Sequence, residues 1–315
     1  MSATPLPRRR RARRGFTLAE ILISMTVGMV VIASATSFSM QSWKTRRNWT
    51  VRETVDRDAR FVGLSLARDV QEAGIAMTST PVFATMDTRG DTISVLSVPF
   101  APNEAVVYPI YDDGDTLATY PEGGTCGATC IDFQKVDGTF ELVAGDLVKL
   151  QVGSTRRLLL LTSVANRSGT LFRVNFLNTG TLAGRPAGLD SLRLMRSGTT
   201  IQKLNLYMYW RDPDKRQLMR AQRLNGDGLP DGAVMANEVE EFEARLLFIN
   251  GSEHPTYSGL DADTTNDGND IIGMKVRARI KSQRSDPAVN GGVPISRWYE
   301  WKMAPRNLLY EKNRM

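Results

Sequence analysis

The chain has 315 residues, 42% of them hydrophobic, enough to bury a sizeable core in one or two domains. Its formal charge of +6 is concentrated in six arginines between Arg8 and Arg14, and the remainder balances to zero, which offers little support for a nucleic-acid footprint. One histidine, His254, rules out multi-histidine metal centres. Since no phosphate-binding glycine loop, dinucleotide fingerprint or nucleophile elbow appears either, the residues point away from an enzyme.

In chain order, residues 1–15 form a basic leader ending in Gly15, and Phe16 to Met40 is mainly apolar. As a helix this stretch is about 37 Å long, enough to cross a bilayer with some tilt. The arginine run marks the leader side as cytoplasmic; Lys44, Arg46, Arg47 and Arg52 lie beyond the span but are outnumbered. Thr17, Ser24, Thr26, Gly28, Ser34, Thr36, Ser37 and Ser39 dilute the aliphatic residues. Small and hydroxyl residues permit close helix approach, as a span that must later pack among other helices requires. Ordinary variation among membrane helices is the alternative. Glu20 stands out, because a carboxylate in hydrocarbon is costly and marks function. No Lys or Arg follows it until Lys44, so its counter-charge is expected from another molecule. The alternative is a signal anchor whose Glu20 snorkels to the interface.

The helix is predicted to continue past the membrane through residues 43–75. Val51, Val55, Ala59, Val62, Leu66, Val70 and Ala73 recur every 3 or 4 residues, close to the α-helical period, with charged residues mostly on other faces. Gly74 is a plausible stop. Trp43 and Trp49 fit either an interfacial aromatic belt or packing between helix and head.

From residue 76 to 315 the pattern becomes short β-rich runs between Gly, Pro, Asp and Asn turns. Predicted strands are 92–98, 105–111, 147–152, 157–164, 171–175, 191–196, 201–210, 218–222, 239–248, 272–282 and 297–303, with long loops at 112–140 and 251–270. The expected fold class is α+β: a long N-terminal helix packed on a mostly antiparallel β-rich head.

Cys126 and Cys130 are the only cysteines. A head in an oxidising compartment favours a local disulfide between them, modest in effect because its loop is small. Their three-residue spacing is not that of a C-x-x-C redox motif. Asp261, Asp263, Asp267 and Asp270 cluster in a stretch resembling a calcium loop, though the bidentate Glu that closes such a loop is missing. A non-EF calcium site and a surface loop rich in Asx turns both fit. A second such stretch, Asn225 to Asp231, matches less well.

The motif GFTLAE at residues 15–20, behind a basic leader and ahead of an apolar span, resembles the cleavage and methylation motif of type IV prepilins. The resemblance implies a prepilin peptidase that cuts after Gly15 and methylates the new N-terminus, Phe16. It implies further that the Glu20 carboxylate meets the N-terminal amine of a neighbouring subunit. LARDVQEAGI at 66–75, AGDLVKLQV followed by LLLLTSV, EVEEFEARLLF at 238–248, MKVRARIKSQRSDP and the late RNL at 306–308 are similar in order to PilW-like minor pilins. The implied partners are the peptidase, other major and minor pilins and an inner-membrane assembly platform. The implied location is the inner membrane with a periplasmic head, then the pilus surface. The J-type pseudopilin of type II secretion shares the leader and a β-rich head and is the competing reading. A signal-anchored periplasmic enzyme or binding protein is the third.

Overall fold

The computed structural model describes residues 17–99, 107–109, 129–134, 142–168, 171–189, 199–283, 285, 287 and 290–306. One helix, α1 (Leu18–Gln71), runs for 54 residues, about 81 Å at 1.5 Å per residue. No proline interrupts it. Arg68 in the last turn complements the negative C-terminal end of the helix dipole. The helix stops three residues before the predicted Gly74. There the backbone turns through φ 72°, a conformation open to glycine, and the Gly74 N–H donates to the Leu96 carbonyl at 3.0 Å. The chain is thus handed from the helix directly to the sheet.

The strands in chain order are β1 (Met86–Arg89), β2 (Thr92–Ser97), β3 (Val107–Pro109), β4 (Cys130–Gln134), β5 (Leu147–Val152), β6 (Thr155–Ser168), β7 (Leu171–Phe176) and β8 (Thr181–Leu182). They continue with β9 (Arg185–Pro186), β10 (Thr199–Asp212), β11 (Gln217–Leu224), β12 (Pro230–Ala236), β13 (Val239–Phe248), β14 (Glu253–His254), β15 (Ile271–Lys281) and β16 (Ser296–Met303). Their pairings are antiparallel, with one isolated parallel bridge between Leu158 and Ala187. The α+β fold expected from the sequence is the one observed. Most predicted strands are present, β5 and β13 with the predicted bounds. Two predicted loops contain strands: β4 lies inside 112–140 and β14 inside 251–270. The predicted strand at 191–196 lies outside the described residues.

Ten strands form the larger sheet, along the path β1-β2-β10-β5-β6-β7-β4 with β3, β11 and β12 attached through β10 and β11. Four form a second sheet in the order β14-β13-β15-β16. On β15, Met274, Val276, Ala278 and Ile280 point inward, while Lys275, Arg277, Arg279 and Lys281 alternate with them on the less buried face, the period-two pattern of a half-buried strand.

The helix meets the head through one stripe: Val55, Ala59, Val62, Gly63, Leu66, Asp69 and Val70. These pack against Phe242, Leu246, Val276 and Ala278 of the four-stranded sheet and Ile93 and Val95 of the larger one. Gly63 is required by contact rather than by turn geometry. A Cβ there would overlap the Trp301 indole, whose Cδ1 and Cε2 would both lie at 2.8 Å. Two further apolar clusters fill the larger sheet, one around Phe133, Phe172 and Val174, the other around Phe83, Leu96, Leu158 and Leu206.

Candidate functional site

From Leu18 to Thr54 the helix stands almost wholly clear of the head, with its aliphatic side chains exposed. This part is long and apolar enough to cross a membrane by length and composition. Its hydroxyls bond back onto their own helix. Thr26 donates to the Ile23 carbonyl at 2.9 Å, Ser34 to Val30 at 2.8 Å and Thr36 to Ile32 at 2.8 Å. Such back-bonding satisfies polar groups that hydrocarbon would not, and leaves short side chains over which another helix can lie.

Glu20 sits at the free end of this projection. Thr17, extended at φ −75° and ψ 151°, is the N-cap, and the two residues form a capping box. The Thr17 backbone N–H and hydroxyl donate to Glu20 Oε2 at 2.9 and 3.0 Å, and the Glu20 N–H donates to Thr17 Oγ1 at 3.3 Å. The carboxylate is therefore hydrogen-bonded by its own chain, a role additional to the pairing with an external counter-charge expected of it. The T-x-x-E spacing was the available signal. These bonds supply dipoles and no counter-charge. Oε1 accepts nothing among the described residues, and a carboxylate offers about four lone-pair sites. Glu20 can thus take a cationic donor from outside while its capping bonds persist. Gly15 and Phe16, the expected cleavage and methylation residues, lie outside the described residues.

At the other end of the helix a polar cluster ties α1 to β10 and β11. Asp69, only 2% exposed, accepts a short bond from the Tyr209 hydroxyl and bonds from Arg220 Nε at 2.8 Å and Nη2 at 3.0 Å. The Arg220 guanidinium lies over the rings of Tyr207 and Tyr209, at 5.3 and 5.9 Å from their centroids. Tyr207 donates to Glu72 at 2.8 Å. Burial pushes the Asp69 carboxyl up, against the lowering effect of Tyr209 and Arg220. Burial and the Glu72 bond push Tyr207 up to about 12. At the start of the packed stripe, next to Val55, Asp56 accepts from Tyr299 and from Arg297 at 3.3 Å; the Tyr299 bond first, then the Arg297 charge, hold it below the usual carboxylate range. None of these anchors was singled out from the sequence.

The acidic loop folds as a set of local turns. Asp261 accepts from the Asp263 N–H at 3.0 Å, and Asp263 accepts from the Thr265 N–H at 2.9 Å and hydroxyl at 2.7 Å. Gly268 lies against residues 80 and 81, where its N–H donates to the Pro81 carbonyl at 3.0 Å and a Cβ would have no room. Asp267 is pushed up by desolvation and by the charges of Asp270, Asp261 and Asp263. Among the described residues no three His, Cys, Asp or Glu side chains are placed to hold a metal together. The other stretch is the β11–β12 hairpin turn, where Asn225 Oδ1 accepts from the Asp227 and Leu229 N–H groups, both at 3.0 Å. Cys130 opens β4, 5% exposed and not a free thiol. Its expected partner Cys126 lies outside the described residues. His254 packs edge-on against Phe248 at 5.5 Å.

Residues 10–36 match the family model for the prokaryotic N-terminal methylation motif. The match spans the end of the arginine run, the Gly15–Phe16 junction, Glu20 and much of the apolar span. Comparison with curated proteins and with solved structures finds no match. A prepilin-type N-terminus on an exposed apolar helix supports a type IV pilin-like or pseudopilin protein in general. It points to a structural subunit processed by a prepilin peptidase, and it is consistent with membrane anchoring.

Proposed function

We propose that this protein is a PilW-like minor pilin of a type IV pilus, which helps to initiate or cap the filament. The observation that carries the reading is the methylation motif, continuous with a helix that projects free of its head and presents the Glu20 carboxylate at its tip. In this reading cleavage after Gly15 releases a Phe16 amine, and methylation keeps its positive charge. Glu20 of one subunit pairs with that amine on another. A lone carboxylate in lipid strongly favours finding such a partner, so the pair sets the axial register while the aliphatic residues supply packing. The head, residues 76–315, is bulky for a subunit repeated throughout a fibre, which favours a low-copy position. The head lies in the periplasm until assembly carries it to the cell surface, in company with other pilins and the inner-membrane platform.

Intact mass of the mature protein tests the reading. The expected species starts at N-methylated Phe16, and uncut protein as the wild-type form would refute it. Glu20→Ala should insert and be cut normally but enter filaments poorly. The N-terminal motif serves a J-type pseudopilin equally. Deletion should abolish twitching under the pilin reading, and exoprotein secretion under the pseudopilin one.

A further inference from the structure

Just past the apolar span, α1 and the end of β15 enclose an open groove of about 730 Å³. Its walls include Trp43, Arg46, Arg47, Thr50, Asp58 and Lys281. Among the described lining residues cations outnumber acids. Asp58 lies beside Arg57 at 3.8 Å, and Lys281 is matched at 3.5 Å by Glu240, but Arg46 makes no ion pair among the described residues. Trp43 is 66% exposed. Position along the helix gives these residues a depth. Trp43 lies three residues beyond Met40, about 4.5 Å further along the axis, and the two arginines about 9–10 Å beyond it. The layer outside the hydrocarbon of a bilayer is about 5–7 Å thick on each side. Trp43 therefore falls within that layer, where its amphipathic ring is favoured, and the Cα atoms of the arginines lie a few ångströms outside it, from where their long side chains reach back to the headgroups. A guanidinium fork matches the oxygens of a phosphate.

We propose that this groove seats the phosphate headgroup of an anionic phospholipid from the leaflet beside the head, with Arg46 and Arg47 on the phosphate and Trp43 against the upper acyl chain. The inference needs only that the helix crosses a bilayer, so it outlives failure of the pilin reading. It gives the cations beyond the span a role that the positive-inside pattern does not.

The test uses the full chain in nanodiscs of equal phosphatidylglycerol and phosphatidylcholine, with native mass spectrometry counting the lipids retained on release. The wild type should retain the anionic lipid preferentially. Arg46→Gln and Arg47→Gln should each lower that preference about fivefold. Arg52→Gln, an equal loss of charge outside the groove, should leave it unchanged, and circular dichroism verifies that each variant is folded. Equal retention of both lipids by the wild type overturns the proposal. So does an Arg52→Gln loss as large as the other two, or a second protein copy retained in place of lipid.

Discussion

Replacing Asp69 by Ala removes the acceptor at the junction of α1, β10 and β11. It leaves the Tyr209 hydroxyl proton without its acceptor, although the oxygen still accepts from Arg220 Nε at 3.0 Å, and it leaves Arg220 without its counter-charge. Removing one member of a buried ion pair costs about 3–5 kcal/mol, and an orphaned buried hydroxyl about 1–3 kcal/mol, but the two share the same acceptor and do not add. Arg220 is 26% exposed and can turn to water, which lowers the first figure. A net loss of about 3 kcal/mol follows. For a folded unit of about 240 residues, each kcal/mol moves Tm by about 2–4 °C, giving a fall of about 6–12 °C. The assay is a near-ultraviolet circular dichroism melt of the full chain in mild detergent, which reads the tertiary packing of the aromatic side chains, Tyr207 and Tyr209 among them. Asp69→Leu with Arg220→Met should recover most of the loss, because an apolar pair leaves no orphan charge. The pH dependence has a defined sign. Burial raises the Asp69 carboxyl above its unfolded value, so the folded state binds the extra proton, and this group's contribution declines as pH rises through the folded pKa. A Tm change under 2 °C for Asp69→Ala, with Tyr209 packing intact, would refute the idea that this cluster holds the helix to the head.

Three further outcomes are expected. Gly63→Leu should lower Tm by more than Gly63→Ala, because both push into Trp301 and the helix-propensity gain of about 1 kcal/mol offsets only the smaller intrusion; equal melting temperatures would dismiss the close contact. Asp56 is held low by Tyr299 and Arg297, so its contribution is present above its unfolded pKa and lost as pH falls through the lower folded one. Urea midpoints between pH 6 and pH 3 should therefore fall less steeply in Asp56→Asn than in wild type, and parallel curves would exclude the link. Millimolar calcium should leave Tm unchanged, since Asp261 and Asp263 already serve local turns; a rise of several degrees would mean that the four aspartates regroup around the ion.

The helix and much of the sheet were legible because their patterns are local. The stripe from Val55 to Val70 repeats at the helical period, and β13 alternates at the strand period, so each element announces itself within about ten residues. Strand β12 was missed because Pro230, Asp231 and Gly232 all disfavour strands. Gly232 is there because the Trp210 ring and the Arg220 carbonyl occupy the space of a side chain. Glu20 was legible as an exception to hydropathy, but its cap required reading Thr17 and Glu20 together. Asp69 carried a faint signal, an acid in phase with the buried stripe. Its partner Arg220 is 151 residues away, and nothing in one sequence joins them. Arg185 is the same case: fully buried, it donates to the Ala84 carbonyl at 2.5 Å and to the Ser94 hydroxyl at 2.7 Å, partners 101 and 91 residues away.

The grip of the head on α1 has a mechanical consequence. The buried stripe runs parallel to the helix axis from Val55 to Val70, about 22 Å of interface. Any tension applied to the free end loads all of its contacts in shear, together, instead of peeling them one by one. The Asp69 cluster lies at the far end of that interface, away from the pull, and shares the load with the rest. A subunit drawn by its tail would therefore carry its whole head along as a rigid load.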